Sequence, residues 1–164
     1  MAIDRTNMVS LLDIGSLLGG SNVNIVEMGD GFTELNEEWG PNVESTQYIN
    51  MKSKSSTVSG YEFSMNPERE YLSDEMQTSI DKMLKKFPTG KECETTYYRF
   101  LKTDKVASAE GKYNAIAVPV IVAPSSIGGN GGGTLTSSIQ INGNGDVKEG
   151  FITMSESGYV WSES

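Results

Sequence analysis

Leu135-Thr-Ser-Ser-Ile-Gln-Ile-Asn-Gly-Asn-Gly-Asp-Val-Lys-Glu-Gly-Phe-Ile-Thr-Met154 is the stretch that decides the fold class. Leu135, Ile139 and Ile141 alternate with Thr136, Ser138, Gln140 and Asn142, the period-two pattern of a half-buried strand. Gly143, Gly145 and Asp146 then fall in a run of residues that tolerate positive φ. Val147 to Met154, with Phe151 and Ile152, supplies a second strand, so the stretch predicts a β-hairpin.

Upstream, the same signals recur. Ile116, Val118, Val120 and Val122 share one strand face, and Ala115, Ala117 and Ile121 share the other, which predicts cover on both sides; Pro119 points to an edge or a bulge. Cys93 to Leu101 is rich in Thr, Tyr and Phe, good strand material. Tyr61, Phe63 and Met65 alternate with Glu62, Ser64 and Asn66. Val43 to Ile49 is a further strand candidate. The polar residues Asn50, Met51, Lys52, Ser53, Lys54, Ser55, Ser56 and Thr57 after it predict a long hairpin loop.

One helix is expected, over 74–87. Asp74 caps it with Gln77 three residues on, and Met76, Ile80, Met83, Leu84 and Phe87 form one face. Lys82, Lys85 and Lys86 sit at its C-terminal end, and Pro88 and Gly90 stop it. Residues 1–21 form an N-terminal arm in this reading. Leu11, Leu12, Ile14, Leu17 and Leu18 make a short helical face cut by Gly15 and Gly19-Gly20, either a partly ordered terminus or an arm docked on a neighbour. Residues 22–164 are then a single mainly-β domain, a β-sandwich or small barrel of seven or eight strands with one flanking helix.

Composition narrows the function. A chain of 164 residues with 37% apolar residues, seven Tyr, five Phe and two Trp is long and apolar enough to bury a core. With 13 basic residues against 22 acidic ones the formal charge is −9, which disfavours phosphate-backbone binding and attraction to anionic membranes. There is no histidine, so Ser-His-Asp and Cys-His mechanisms are excluded, and with Cys93 alone no intrachain disulfide or CxxC zinc site can form. The N-terminal segment, interrupted by Asp4 and Asp13, does not read as a signal peptide, and the longest apolar run, Ala115 to Ala123, is about half the ~20 residues of a spanning helix. Synthesis as a soluble cytoplasmic product is the expectation.

No motif carries chemistry. The run with Gly128, Gly129, Gly131 and Gly132 lacks the lysine of a phosphate loop and precedes a strand, so it predicts a flexible strand connector. Asn142, Asn144 and Asp146 have the first spacings of a calcium loop, but Val147 stands where glycine is needed and Thr153 where a bidentate glutamate is needed. The acid pairs Glu37/Glu38, Glu68/Glu70 and Glu92/Glu94 are better read as solvated faces than as glycosidase carboxylates, and the eight methionines as core filler. Neither an enzyme nor a cofactor emerges. A monomeric carbohydrate- or receptor-binding sandwich would show clustered exposed aromatics, and only Trp39 and Trp161 are present.

The stretch from Ser126 through the glycine run to Leu135, followed by Ile139 to Ile152, resembles the major tail tube protein of long-tailed phages of low-GC Gram-positive bacteria. A glycine-rich run, a strand, a Gly-Asp turn and a Gly-Phe strand recur there in this order. The loop at 50–57, the Tyr-Glu-Phe stretch at 61–63 and the helix extend the likeness over residues 43–154; Val147 replaces the usual proline of the turn. The resemblance implies a structural virion protein, six copies per ring, with rings stacked into a hollow tube that delivers phage DNA. The 50–57 hairpin and the terminal arm would bridge copies. Partners would be the chain itself, a tape measure, a tail terminator and DNA in transit without specific binding, with no membrane. Assembly would take place in the host cytoplasm, and an acidic lumen would keep DNA off the wall. The inner tube of a contractile tail or tail-derived bacteriocin is the alternative.

Overall fold

A single long strand organises the molecule. The computed structural model describes residues 1–164 and contains, in chain order, β1 (Met8–Asp13), β2 (Ile25–Glu27), β3 (Asn42–Thr46), β4 (Ser55–Gly60), β5 (Ser64–Met65), β6 (Glu68–Glu70), α1 (Glu75–Lys86), β7 (Glu94–Lys105), β8 (Lys112–Gly128), β9 (Thr136–Gly143), β10 (Lys148–Ser155) and β11 (Gly158–Glu163). All pairings are antiparallel, in the order β11-β10-β8-β7-β1-β2, with β9 also on β8 and β5 and β6 outside β9. One edge of β8 runs along β7. Its other edge pairs first with β10, over Lys112–Ala117, and then with β9, over Val120–Gly128.

The expected hairpin at 135–154 is therefore corrected. β9 and β10 do not pair with each other; they run in the same direction, end to end, along one edge of β8. The reversal comes earlier, at the glycine-rich connector 129–135 between β8 and β9, where Gly132 has φ +79° and the Gly133 N–H bonds the Asn130 carbonyl at 2.9 Å. The Asn-Gly-Asn-Gly-Asp run bridges the gap between β9 and β10. It lies opposite Pro119, whose carbonyl accepts from the Asn144 N–H at 2.8 Å. In an extended residue the N–H and C=O point to the same side, so the N–H that proline lacks would face this gap. That reconciles Pro119 with an interior strand: the ladder is already interrupted where it sits.

The arm is the second correction. Residues 8–13 form β1, hydrogen-bonded between β7 and β2, with Val9, Leu11 and Leu12 each no more than 3% exposed. Leu11 faces one core and Leu12 the other. A strand buried on both faces loses its alternation and shows a continuous apolar run, which resembles a short helical stripe. Just past the end of β1, Gly15 is required on steric grounds: a Cβ there would stand 1.9 Å from the Asn22 carbonyl oxygen. Buried Asp13 fixes the loop that follows, accepting from the Gly15 and Asn24 N–H groups at 3.0 Å and the Ser16 hydroxyl at 2.6 Å. The domain thus begins at β1 rather than at residue 22.

Two apolar clusters lie on opposite faces of the sheet. Alternation on β7 sends Tyr97 into one and Tyr98 into the other. The larger gathers Leu12, Val118, Val120, Val122, Ile139 and Ile141 under α1, which contributes Met76, Ile80 and Met83. The smaller holds Val9, Leu11, Phe100, Ala115, Ala117 and Ile152, with Tyr113, Tyr159 and Trp161 packed on it. Around it the sheet curls until β11 reaches β2, where the Tyr159 hydroxyl donates to Glu27 at 3.3 Å. The fold is mainly β with one flanking helix, as expected.

The helix follows its sequence closely. Asp74 caps it by accepting from the Gln77 N–H at 2.9 Å. Gln77 does not reciprocate; its buried amide faces Ser137 and Asp81 instead. Phe87, expected on the apolar face, is the left-handed C-terminal residue with φ +48° and is exposed. Between Tyr61 and Asn66 only Ser64–Met65 is strand; Phe63 and Met65 are buried, but Tyr61 is exposed where the chain turns onto Trp39 and Gly40. No helix is long and apolar enough to cross a membrane.

Candidate assembly surface

The expected loop 50–57 belongs to a hairpin that stands apart from the body. β3 and β4 form their own two-stranded sheet, paired from Val43↔Val58 to Thr46↔Ser55, and join no other strand. The true tip is 47–54, so Asn50, Met51, Lys52, Ser53 and Lys54 lie in it, while Ser55, Ser56 and Thr57 are the first residues of β4. Local bonds shape the tip: the Gln47 amide donates to the Met51 carbonyl at 3.1 Å, and the Met51 N–H to the Tyr48 carbonyl at 3.0 Å. The serine hydroxyls of Ser45 and Ser56 meet across the ladder at 3.0 Å.

This hairpin exposes several apolar side chains to solvent. Val43, Tyr48, Ile49 and Val58 are all more than half exposed, and Tyr61 continues the surface at its base. An isolated two-stranded ribbon is marginal in water, and grouped exposed apolar residues mark contact surfaces. The hairpin is a projecting element with a grouped, exposed apolar surface. The 128–135 connector is a second exposed projection, with Ile127 and Leu135 at its base. Gly128, Gly129, Gly131 and Gly132 belong to it, whereas Gly143, Gly145 and Asp146 lie at the interruption opposite Pro119, so the structure does not bring the two glycine groups into one site.

The acidic residues have different fates. Glu37 is nearly buried, accepting from the Tyr97 hydroxyl at 2.8 Å and the Trp39 indole N–H at 3.2 Å, with Arg99 at 3.2 Å. Tyr97 also reaches Ser10 at 2.9 Å; burial first, then the Glu37 charge, pushes its hydroxyl pKa far up, so it stays a neutral donor. Glu38, Glu68 and Glu70 are exposed, and Glu92 lies in a 3-10 turn before β7, off the strand that holds Glu94. No three His, Cys, Asp or Glu side chains converge as a metal site would require. Cys93 is buried, its thiol pKa raised chiefly by desolvation, and donates to the Pro88 carbonyl at 3.2 Å.

Sequence reading passed over Arg69. Its side chain, 2% exposed, crosses from β6 to the helix N-terminus and grips Asp74 with bonds of 2.7 and 3.0 Å. It also donates to the Asp30 carbonyl at 3.0 Å and lies over the Phe32 ring. The Arg69 hydrogen bonds hold the Asp74 carboxyl below its ordinary pKa. The only sequence signal was an arginine alternating with Glu68 and Glu70, which placed it on the opposite, inward face of a strand.

No family model matches the sequence, and no curated protein matches it. Solved structures do. A chain in the virion of a native gene transfer agent particle superposes with a TM-score of 0.61 at 6% identity, covering 90% of this chain and 98% of that one. A chain in the tail of the empty gene transfer agent particle, with C6 symmetry, gives 0.60 at 8% identity, covering 89% and 97%. A chain from an extracellular contractile injection system, at its sheath/tube terminator, gives 0.54 at 7% identity, covering 91% and 96%. This chain is thus similar, over most of its length, to subunits of tail and injection particles, and its fold is tail-tube-like.

Proposed function

We propose that this chain is a structural tail tube subunit, six copies forming a ring and the rings stacking into a hollow tube that conducts DNA. The observation that supports it most is the likeness of fold, over 89% of this chain and 97% of the other, to a chain in a C6-symmetric tail. The free-standing hairpin, with exposed Val43, Tyr48, Ile49 and Val58, adds the kind of surface such a subunit needs. On this reading the protein is a virion component and not an enzyme, assembled in the host cytoplasm, and its further partners are a tape measure and a tail terminator. The sequence resemblance over 43–154 supports its placement in a long-tailed phage of Gram-positive bacteria.

Negative-stain microscopy of the purified chain tests the reading. Six-fold rings or hollow tubes are the expected result, and a uniformly monomeric protein at high concentration overturns it. A second reading, the inner tube of a contractile particle, is supported by the likeness to the chain at the sheath/tube terminator. It predicts that a sheath protein encoded alongside this chain co-purifies around the tubes.

A further inference from the structure

The sequence contains three Asn-Gly pairs, Asn130-Gly131, Asn142-Gly143 and Asn144-Gly145, and the fold treats them differently. Asn142 lies in β9 with a ladder on each side, opposite Ile121 of β8 and Ser64 of β5, and is half-buried. The Gly143 N–H donates to the Phe63 carbonyl at 2.9 Å. Asn144, two residues on, is exposed in the gap between β9 and β10. Its own N–H donates to the Pro119 carbonyl, but the Gly145 N–H makes no hydrogen bond within the chain, and residues 145–147 pair with no strand. Asn130 is likewise exposed, at the start of the turn closed by the Gly133 N–H on the Asn130 carbonyl. The Gly131 N–H is free, and beyond its chain neighbours no atom lies within 4 Å of where a Cβ on Gly131 would stand.

An asparagine followed by glycine carries its own nucleophile. With no Cβ on the next residue, the backbone can turn so that the glycine nitrogen meets the asparagine Cγ. The nitrogen attacks Cγ and a C–N bond forms; the Cγ–Nδ2 bond breaks, and ammonia leaves with the proton that the backbone nitrogen gives up. The product is a cyclic imide. Water then adds at one of its two carbonyl carbons and breaks that carbon's bond to the ring nitrogen. Attack at Cγ gives aspartate, and attack at the main-chain carbon gives isoaspartate, in which the chain runs through Cγ. Nothing is oxidised or reduced, and solvent is the only co-reactant. The rotation needs a glycine N–H with no hydrogen-bond partner, so a paired strand suppresses the reaction until it opens.

We propose that Asn130 and Asn144 are sites of spontaneous deamidation in the folded protein, and that the ladder spares Asn142. The proposal does not depend on the tube reading. Each conversion replaces a neutral amide by a carboxylate, adding one negative charge to a chain already at −9. Isoaspartate also lengthens the main chain by a methylene. At Asn144 the unpaired residues 145–147 take up the extra length, and at Asn130 the exposed connector does so. Ageing therefore alters the charge of the surface and leaves the sheet intact.

Storage of the full chain at mildly alkaline pH, followed by peptide mass mapping and enzymatic methylation of isoaspartate, tests this. In the folded protein Asn130 and Asn144 should convert at least about tenfold faster than Asn142. In denaturant the three rates should draw together, because only the shared Asn-Gly sequence then acts. N130Q and N144Q should each abolish conversion at their own position and leave the other unchanged, since glutamine would have to close a larger, slower-forming ring. Both side chains are exposed, so both variants should fold. Conversion of Asn142 in the folded protein as fast as Asn144 overturns the proposal, as does a folded chain in which neither Asn130 nor Asn144 converts while the denatured chain does. The converted fraction should separate from fresh protein on anion exchange and melt at the same temperature. A lower melting temperature in that fraction overturns the reading that the gap and the connector absorb the change.

Discussion

Arg69→Met removes the one buried cation that ties the sheet to the helix. Wild-type Arg69 makes three hydrogen bonds, two to Asp74 and one to the Asp30 carbonyl, and lies 5.2 Å from the Phe32 ring centre. Methionine keeps much of the apolar stem, so the loss is mainly polar. Breaking a buried pair from one side typically destabilises by ~3–5 kcal/mol. Asp74 is 37% exposed and still receives the Gln77 N–H, so water takes over part of the lost partner. The expected cost is therefore nearer ~2–3 kcal/mol, a fall in Tm of about 4–12 °C for a domain of this size. Thermal unfolding followed by circular dichroism, for R69M, D74N and the double variant, gives the coupling directly. The pH dependence has a fixed sign. Asp74's folded pKa is lowered, so its stabilisation is present above the unfolded value of ~3.9 and is lost as pH falls through the folded value. Below about pH 4 the wild type should lose stability that D74N does not lose at that step. An R69M cost under about 1 kcal/mol, with additive single variants, refutes the argument.

Replacing the tip 47–54 by a two-residue Asn-Gly turn should leave a folded monomer melting within about 2 °C of wild type, because the tip is largely exposed and the hairpin joins no other strand, yet abolish tubes in the microscope; loss of folding would contradict the exposed placement. Ile80→Ala should cost ~2–5 kcal/mol in denaturant unfolding, with residue 80 only 3% exposed, and Leu84→Ala less, since Leu84 is only partly covered. Gly15→Ala should prevent the 13–24 loop from closing, lowering stability by at least ~2 kcal/mol, because its Cβ would meet backbone at 1.9 and 2.8 Å. Phe87→Gly should stabilise by ~1 kcal/mol, since a left-handed residue at a helix end favours glycine and this side chain is exposed.

The sequence by itself determined what depends on local periodicity. The helix, its Asp74 cap and its buried Met76, Ile80 and Met83 were legible because one exposed face and one buried face give a clean 3.6-residue stripe. The strands at Cys93–Leu101 and Ala115–Ala123 were legible from their density of β-branched and aromatic residues, and apolar residues on both faces of the latter gave its two-sided cover. The mainly-β class followed from these, and the polar 50–57 segment pointed to the projecting hairpin, though its exposed Val43, Tyr48, Ile49 and Val58 were not singled out. Pairing was decided only in three dimensions. Whether β9 and β10 face each other or share the edge of β8 depends on hydrogen bonds between residues far apart, and Asn-Gly-Asn-Gly-Asp suits a hairpin turn and a ladder gap equally. β1 was hidden because burial on both faces erases alternation, so only its place between β7 and β2 shows it to be a strand. Arg69's place over Phe32 arises from segments 31–38 and 64–70 brought together through the Phe32↔Arg69 bridge, and no local pattern encodes that meeting.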